Sequence, residues 1–388
     1  MKTKFPFRAI IALILCFTVI ISVVTAYAFK NIYGAISPSL AKKLSQISNI
    51  VDSDYYFNTN DKEIEEAIAS GYISGIGDKY AAYYSKDNAT VVKNKYKGDT
   101  HGIGMLCVNT NNYQIYVWRV YSGGSAQIEG LKSGDVITAI NGKSVTKTSY
   151  NDCVKLLQGK SGKKVNVTYL RNEKENTVTV TCGDYDVQSV YYNLINNKIG
   201  YIQIIDFNSK TYLQFKNAVE ELKKQGAKSY IFDLRHNGGG TVDSAAKIID
   251  YVLPKGDTIH VKNKSGEIVV RNRSNKSSLK APIVVLADSK TASSAEIMIS
   301  ALKDFGAATI MGTKTYGKSL IQRNYALNDG SLIKLTIGEF VTAKGDSYNG
   351  IGLIPDIELK PSYSTDYEYY FLAPENDTML ISAINQLS

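Results

Sequence analysis

Two short stretches carry residue types that could do chemistry. The first is Thr291-Ala292-Ser293-Ser294-Ala295-Glu296, which follows an apolar run from Pro282 to Ala287 and opens a helical pattern reaching Phe305. A serine between a buried strand and a helix start sits beside unpartnered helix amides. α/β hydrolases hold a nucleophile there and use such amides to stabilise an oxyanion. Ser293-x-x-Glu296 is equally a capping box, a common way to begin a helix, so the spacing alone leaves both roles open. The second stretch is Arg235-His236-Asn237-Gly238-Gly239-Gly240, after a strand pattern from Tyr230 to Leu234. Consecutive glycines let backbone amides approach an anion closely; they also make loose turns.

A nucleophilic serine needs a base. The chain has 3 histidines, His101, His236 and His260, and only His236, beside the glycines, is placed to serve a triad. A lysine can take that role if burial lowers its pKa. Moving it from ~10.4 to ~7 costs about 4–5 kcal/mol, so its surroundings must be largely apolar. Lys318, flanked by Tyr316, Leu320 and Ile321, fits. It also completes Gly312-Thr313-Lys314-Thr315-Tyr316-Gly317-Lys318-Ser319, a literal phosphate-loop pattern. A phosphate loop opens a long helix, whereas Ser319 to Ala326 reads as a strand running toward an Asn328-Asp329-Gly330 turn. The match is therefore taken as coincidence.

These residues need a scaffold. From Tyr192 to about Pro361 strands alternate with helices, as in α/β domains: strands at Ile199–Ile205 and Tyr230–Leu234, and a helix at Tyr212–Gln225 with Phe215, Val219 and Leu222 on one face. From Thr100 to Asp184 the texture is short strands and turns, with an Asn141-Gly142 hairpin signal and a short helix from Tyr150 to Leu157. Ser39 to Tyr96 reads as helical, with Ile64, Ala67, Ile68, Tyr72 and Ile73 on one face after an Asn60-Asp61 start. The tyrosine-rich stretch from Tyr363 to Tyr370 and the final helix to Leu387 would either mediate assembly into a homo-oligomer or cover a sheet edge.

Lys2, Lys4 and Arg8 precede an uncharged stretch from Ala9 to Phe29. That stretch is long enough for a transmembrane helix with its N-terminus in the cytoplasm. Ala26-Tyr27-Ala28 makes a cleaved signal peptide the competing reading. Either way the rest is expected outside the cytoplasm, anchored in the cell membrane or secreted. Cys107, Cys153 and Cys182 show no metal or redox spacing and are expected as buried free thiols, one disulfide among them being the alternative in an oxidising compartment. Over 388 residues, 44% hydrophobic and 21% charged composition excludes wholesale disorder and a polytopic membrane protein. The net charge of +9 suits an anionic envelope. The 28 tyrosines are spread out rather than gathered into a stacking platform, so nucleic acid is not an expected partner.

Between Thr100 and Asp184, Gly102-Ile103-Gly104-Met105, Ser125-Ala126, Gly130-Leu131 and Gly134-Asp135-Val136-Ile137 resemble a PDZ domain. That resemblance implies that Gly102, Ile103, Gly104 and Met105 bind a peptide carboxylate and strand, with Val154 and Leu157 on the opposite wall. Asp233 to Gly240, Ala292 to Ile297, Lys303-Asp304-Phe305-Gly306, Thr315 to Gln322, Asp329-Gly330-Ser331 and Gly352 to Ile357 occur in one order. Together they resemble the carboxyl-terminal processing peptidases, tail-specific serine proteases with an inserted PDZ domain. The resemblance implies a metal-free and cofactor-free Ser293–Lys318 dyad assisted by Gln322, with the amides of Gly239 and Ser294 as oxyanion hole. Ser294 is the alternative nucleophile. Gly238 stands where the family commonly has proline, which should loosen that loop. The expected fold is mixed α/β and α+β: an N-terminal membrane anchor or signal segment (1–30), a helical region (31–98), a PDZ-like module (99–184), a peptidase core (185–361) and a tail with a helix (362–388). The expected activity is cleavage of proteins or peptides near their C-termini; the rival is a non-catalytic peptide-binding scaffold.

Overall fold

The structure is a computed structural model that describes residues 14–25, 36–109, 114–275 and 278–388. The chain divides into two units, residues 1–68 and 69–388. In the first, helix α1 (residues 14–25) is exposed along its length, and α2 (Pro38–Asp54) starts at Ser37, whose hydroxyl accepts the Leu40 N–H at 3.2 Å. The anchor expected over Ala9–Phe29 is described only in its 14–25 part, and Ala26-Tyr27-Ala28 lies outside the described residues. Among the described residues no helix is long and apolar enough to cross a membrane. Helix α3 (Asp61–Ser74) begins where Asn60 predicts.

The second unit opens with β1 (Ala82–Tyr84), α4 (Lys86–Lys97) and β2 (Asp99–Gly102). The segment expected to be wholly helical thus contains a strand: Ala82, Tyr83 and Tyr84 pair with Lys334, Ile333 and Leu332. Next come β3 (Met105–Asn109), β4 (Ile115–Val120), α5 (Ser125–Ile128), β5 (Val136–Ile140), β6 (Lys143–Ser144), α6 (Tyr150–Leu157), β7 (Lys164–Arg171), β8 (Lys174–Thr181) and β9 (Gly183–Asp186). The sheet order is β3-β4-β5-β7-β8 with β6 on β5, and β9 returns to pair with β2 as a two-stranded neck. Asn141 and Gly142 carry φ of 50° and 74° between the paired Ile140 and Lys143. That is the two-residue type I′ hairpin which Asn-Gly favours. Ile103, Val117, Ile137, Ile140, Val165 and Val167 form this module's core. Cys107, Cys153 and Cys182 are free; Cys153 and Cys182 are buried as expected, whereas Cys107 is only half-buried.

The remaining elements are β10 (Val190–Ile195), β11 (Ile199–Ile204), α7 (Thr211–Lys224), β12 (Ser229–Asp233), α8 (Val242–Val252), β13 (Gly256–Lys262), β14 (Ile268–Ser274), β15 (Ile283–Ala287), α9 (Ser294–Asp304), β16 (Thr309–Gly312), β17 (Leu320–Ala326), β18 (Leu332–Val341), β19 (Ile357–Glu358), α10 (Asp366–Tyr370) and α11 (Thr378–Gln386). The central sheet runs β10-β11-β12-β15-β16-β19, parallel from β11 onward. Every residue of β12 and β15 is buried, as parallel strands covered on both faces require. Phe215 and Leu222 of α7, Ile248 and Ile249 of α8, and Met298 and Leu302 of α9 belong to one core cluster with this sheet.

The tail covers the other face of the sheet rather than an edge. Met379, Leu380 and Ala383 of α11 pack on Ile199, Ile231, Val284 and Leu286. Arg235 bridges Asp233 (2.6 Å) and Asp377 (2.7 Å), all three buried. Rings of α10 meet the PDZ-like module, Tyr370 on Trp118 and Tyr367 on Tyr116, each at 4.7 Å between centroids. A second sheet, β1-β18-β13-β14 with β17 on β18, carries the loop before Leu320 toward the C-terminal edge of the parallel strands. That edge is where open α/β sheets hold their sites.

Candidate active site

Ser293 caps α9 with φ 58° and ψ −120°. A non-glycine residue in that region is strained by roughly 1–3 kcal/mol and persists only where its surroundings hold it. They do. Thr291 Oγ1 donates to the Leu234 carbonyl at 2.8 Å and the Ala292 N–H to the Asn237 carbonyl at 2.9 Å, tying the serine turn to the glycine loop. Glu296 Oε2 accepts the Ser293 N–H at 2.9 Å. The turn therefore thrusts the Ser293 side chain into a cavity of about 740 Å3 that Lys318, Gln322, Gly239 and Asp206 also line.

Ser294 is a structural neighbour. Its side chain is buried and its hydroxyl donates to the Gly240 carbonyl at 2.9 Å, which leaves Ser293 as the cavity-facing hydroxyl. Ser294→Ala is expected to cost about 1 kcal/mol of stability, one net hydrogen bond, while peptide hydrolysis persists. Thermal unfolding and a hydrolysis assay on the same preparation check both halves, and loss of all turnover with an unchanged Tm would move the nucleophile to Ser294.

Lys318 precedes β17 rather than opening a helix, so the phosphate-loop pattern does not have that motif's structure. The ammonium is half-buried, 4.7 Å from the centroid of the Tyr80 ring. Burial, reinforced by the charge of Lys334, holds its pKa below the ordinary lysine value; Glu296 opposes that shift and Lys79 adds to it. Gln322 is half-buried in the same cavity, with Nε2 donating to the Leu320 carbonyl (3.0 Å) and Thr336 Oγ1 (3.4 Å).

Glu296 is wholly buried. Its Oε2 accepts the N–H groups of both Ser293 and Lys318 (2.9 and 2.8 Å), while Oε1 accepts the Gly317 N–H (2.7 Å) and the Thr315 hydroxyl (2.6 Å). One carboxylate thus fixes the spacing between the serine turn and the lysine loop. Sequence reasoning saw only the cap in Ser-x-x-Glu.

The two expected oxyanion donors differ. Ser294 is the first residue of α9, so its N–H is one of those the helix leaves unpartnered. Gly239, at φ 96°, lies against the serine turn: a side-chain carbon built there would stand 2.8 Å from Ser293 Cβ and 2.9 Å from the Ser294 nitrogen. Only glycine fits, yet in this conformation the Gly239 N–H donates to Asn237 Oδ1 at 2.8 Å. A rotation of the Asn237 side chain must release it before it can serve an oxyanion. His236 stacks on Tyr369 at 3.7 Å and pairs with Asp288 at 2.5 Å, outside the lining of the cavity. Burial alone would raise the Asp288 pKa, but the His236 contact outweighs it and holds the group at about 2.

A separate groove of about 180 Å3 runs between β3 and α6 of the PDZ-like module. Gly102, Ile103, Gly104 and Met105 line it with Val154 and Leu157, and among the described residues β3 pairs with β4 alone. The Tyr150 hydroxyl crosses it to the Cys107 carbonyl at 2.9 Å.

Comparison with known proteins agrees with this architecture. The model of peptidase family S41 matches residues 198–359, and that of the PDZ domain residues 89–182. A probable CtpA-like serine protease of Staphylococcus aureus (strain MRSA252) is 32% identical over 371 residues, covering 93% of this chain and 74% of the relative. The carboxy-terminal processing protease CtpA of Bacillus subtilis (strain 168) is 32% identical over 325 residues, covering 83% and 70%. Among solved structures, a putative S41 protease from Bacteroides fragilis NCTC 9343 superposes with a TM-score of 0.58 at 18% identity over 86% of this chain and 90% of that one, a likeness of fold.

Proposed function

The chain belongs to peptidase family S41 and is a serine-type peptidase with a PDZ domain, and from that premise we propose that it is an exported endopeptidase in which a Ser293–Lys318 dyad cuts proteins or peptides near their C-termini. The observation that carries the reading is the strained Ser293 at the head of α9 opening into the same cavity as a half-buried lysine of lowered pKa. Neutral Lys318 leaves the Tyr80 face and takes the Ser293 hydroxyl proton as Oγ attacks the scissile carbonyl. The Ser294 N–H, joined by that of Gly239 once Asn237 lets go, holds the tetrahedral oxyanion. Collapse breaks the C–N bond, and the lysine passes its proton to the departing amine. Water, deprotonated by the same lysine, then opens the acyl-serine ester. Gln322 orients the lysine.

In this reading the groove of the PDZ domain captures the substrate's tail as an added strand on β3. The basic flank of the apolar N-terminal stretch supports an extracytoplasmic placement, tethered to the membrane if that stretch is kept and secreted if it is cleaved; association into homo-oligomers is compatible with it. The test uses the full chain and an unstructured protein substrate in chelator. Wild type is expected to produce C-terminal fragments visible by mass spectrometry, and Ser293→Ala to lower kcat by at least about three orders of magnitude. Undiminished cleavage by that variant would remove Ser293 from the mechanism.

A further inference from the structure

The active-site cavity holds a carboxylate that the hydrolytic steps do not use. Asp206 follows β11 and lines the same cavity as Ser293. Its position is anchored to the reacting centre through the backbone of the next residue. The Phe207 N–H donates to the Gly239 carbonyl at 3.0 Å, and the Phe207 carbonyl accepts the Thr241 N–H at 2.6 Å. Gly239 in turn abuts Ser293. Asp206 therefore rides on a loop tied to the one that abuts Ser293.

Its surroundings leave its charge unanswered. Asp206 Oδ1 accepts the Phe207 N–H at 2.8 Å, and among the described residues it has no ion-pair partner. The other acid of the cavity, Asp243, has Arg271 at 3.9 Å. Lys95 lines the same cavity and acts on Asp206 through its field without pairing with it; it is exposed, so water screens it. Desolvation is the leading influence on Asp206 and raises its pKa. Tyr84, Val92 and Tyr96 line the same cavity. A half-buried carboxylate in a cavity that also presents tyrosine rings suits a long cationic side chain, whose stem packs on apolar surface while its head meets the charge.

We propose that Asp206 is a specificity-determining residue that forms a subsite for a lysine or arginine side chain of the substrate next to the cleaved bond. This subsite rests on the peptide-hydrolysing reading above, and it narrows the substrate class to tails carrying a basic residue near the cut.

The experiment measures kcat/KM of the full chain on one cleavable peptide in which lysine, or uncharged norleucine of matching length, is moved through each position flanking the cut. Lysine is expected to exceed norleucine by about tenfold at one position. In Asp206→Asn, which keeps an acceptor for the Phe207 N–H, that ratio should fall to about one. Asp206→Lys should gain a preference for glutamate over norleucine at the same position, a gain that a misfolded protein cannot show. A ratio near one at every position in wild type, or a tenfold ratio that persists in Asp206→Asn, overturns the proposal while leaving hydrolysis intact. If wild type cuts neither peptide, hydrolysis is what fails. The subsite is then judged by binding of the two peptides to the Ser293→Ala chain: a lysine preference abolished by Asp206→Asn upholds it, and equal binding overturns it.

Discussion

Lys318→Arg is expected to lower kcat by at least about three orders of magnitude across the accessible pH range. The guanidinium keeps the length and the charge of the side chain but cannot give up its proton below pH ~12, so Ser293 would lose its base and keep its packing. In wild type the rate should rise with pH and level off above the depressed pKa of Lys318, because only the neutral amine accepts a proton. The same shift has a thermodynamic signature. A lysine whose folded pKa lies below its unfolded value binds fewer protons in the native state between those two values. Stability therefore increases as pH rises through that window, and the cost of the buried charge is felt in full below it. Lys318→Met should remove that slope and stabilise the protein on the acid side while abolishing turnover. Urea unfolding at several pH values, set beside the pH–rate profile, reads both. A variant more stable yet inactive would separate Lys318's chemistry from its packing; a pH–rate limb that survives in Lys318→Arg would assign the proton to another group.

Where local pattern dictated local structure, reading was straightforward. Asn141-Gly142 forms its type I′ turn because both φ values must be positive, and Thr211–Lys224 is helical with Phe215, Val219 and Leu222 inward because those residues share one face. The serine turn and the glycine loop were legible as strand-to-helix transitions. Contacts made by residues far apart in the chain were not. Ala82–Tyr84 is too short to announce itself as a strand and exists because β18 offers it an edge. Asn237 holding the Gly239 N–H depends on a side-chain rotamer, which no spacing encodes. The tyrosines of 363–370 read as a tail, whereas Tyr369 stacks on His236 and donates to the Arg235 carbonyl at 3.0 Å, bracing the glycine loop from behind. Asp206 carried no motif at all; it became visible only when the cavity around it did.

Glu296 shows the same limit most sharply and yields the second large expected effect. A capping residue is worth about 1 kcal/mol, but this carboxylate is buried and answers four donors drawn from residues 293, 315, 317 and 318. Glu296→Ala would strand all four and is expected to cost roughly 3–5 kcal/mol, in the range for breaking a buried charged network. Glu296→Gln is the more informative change. Its shape is unaltered, yet its amide can present an oxygen to one pair of donors only, turning an NH2 toward the other. With the oxygen in the Oε2 place the Ser293 and Lys318 contacts survive but the NH2 confronts the Gly317 N–H, and in the reverse orientation both of those contacts are lost, so the lysine loop is displaced either way. A displacement of about 1 Å there is expected to lower kcat/KM by about 100-fold. The charge has its own consequence, opposite in sign to a general loss of fitness. Ionised Glu296 favours the protonated lysine, so its removal should let the Lys318 pKa fall further. The acid limb of the residual activity would then move to lower pH even as the plateau drops. A lower plateau with an unmoved limb would mean that Glu296 acts through geometry alone. A limb displaced to higher pH would contradict the electrostatic account, since no loss of a neighbouring negative charge can make a lysine easier to protonate.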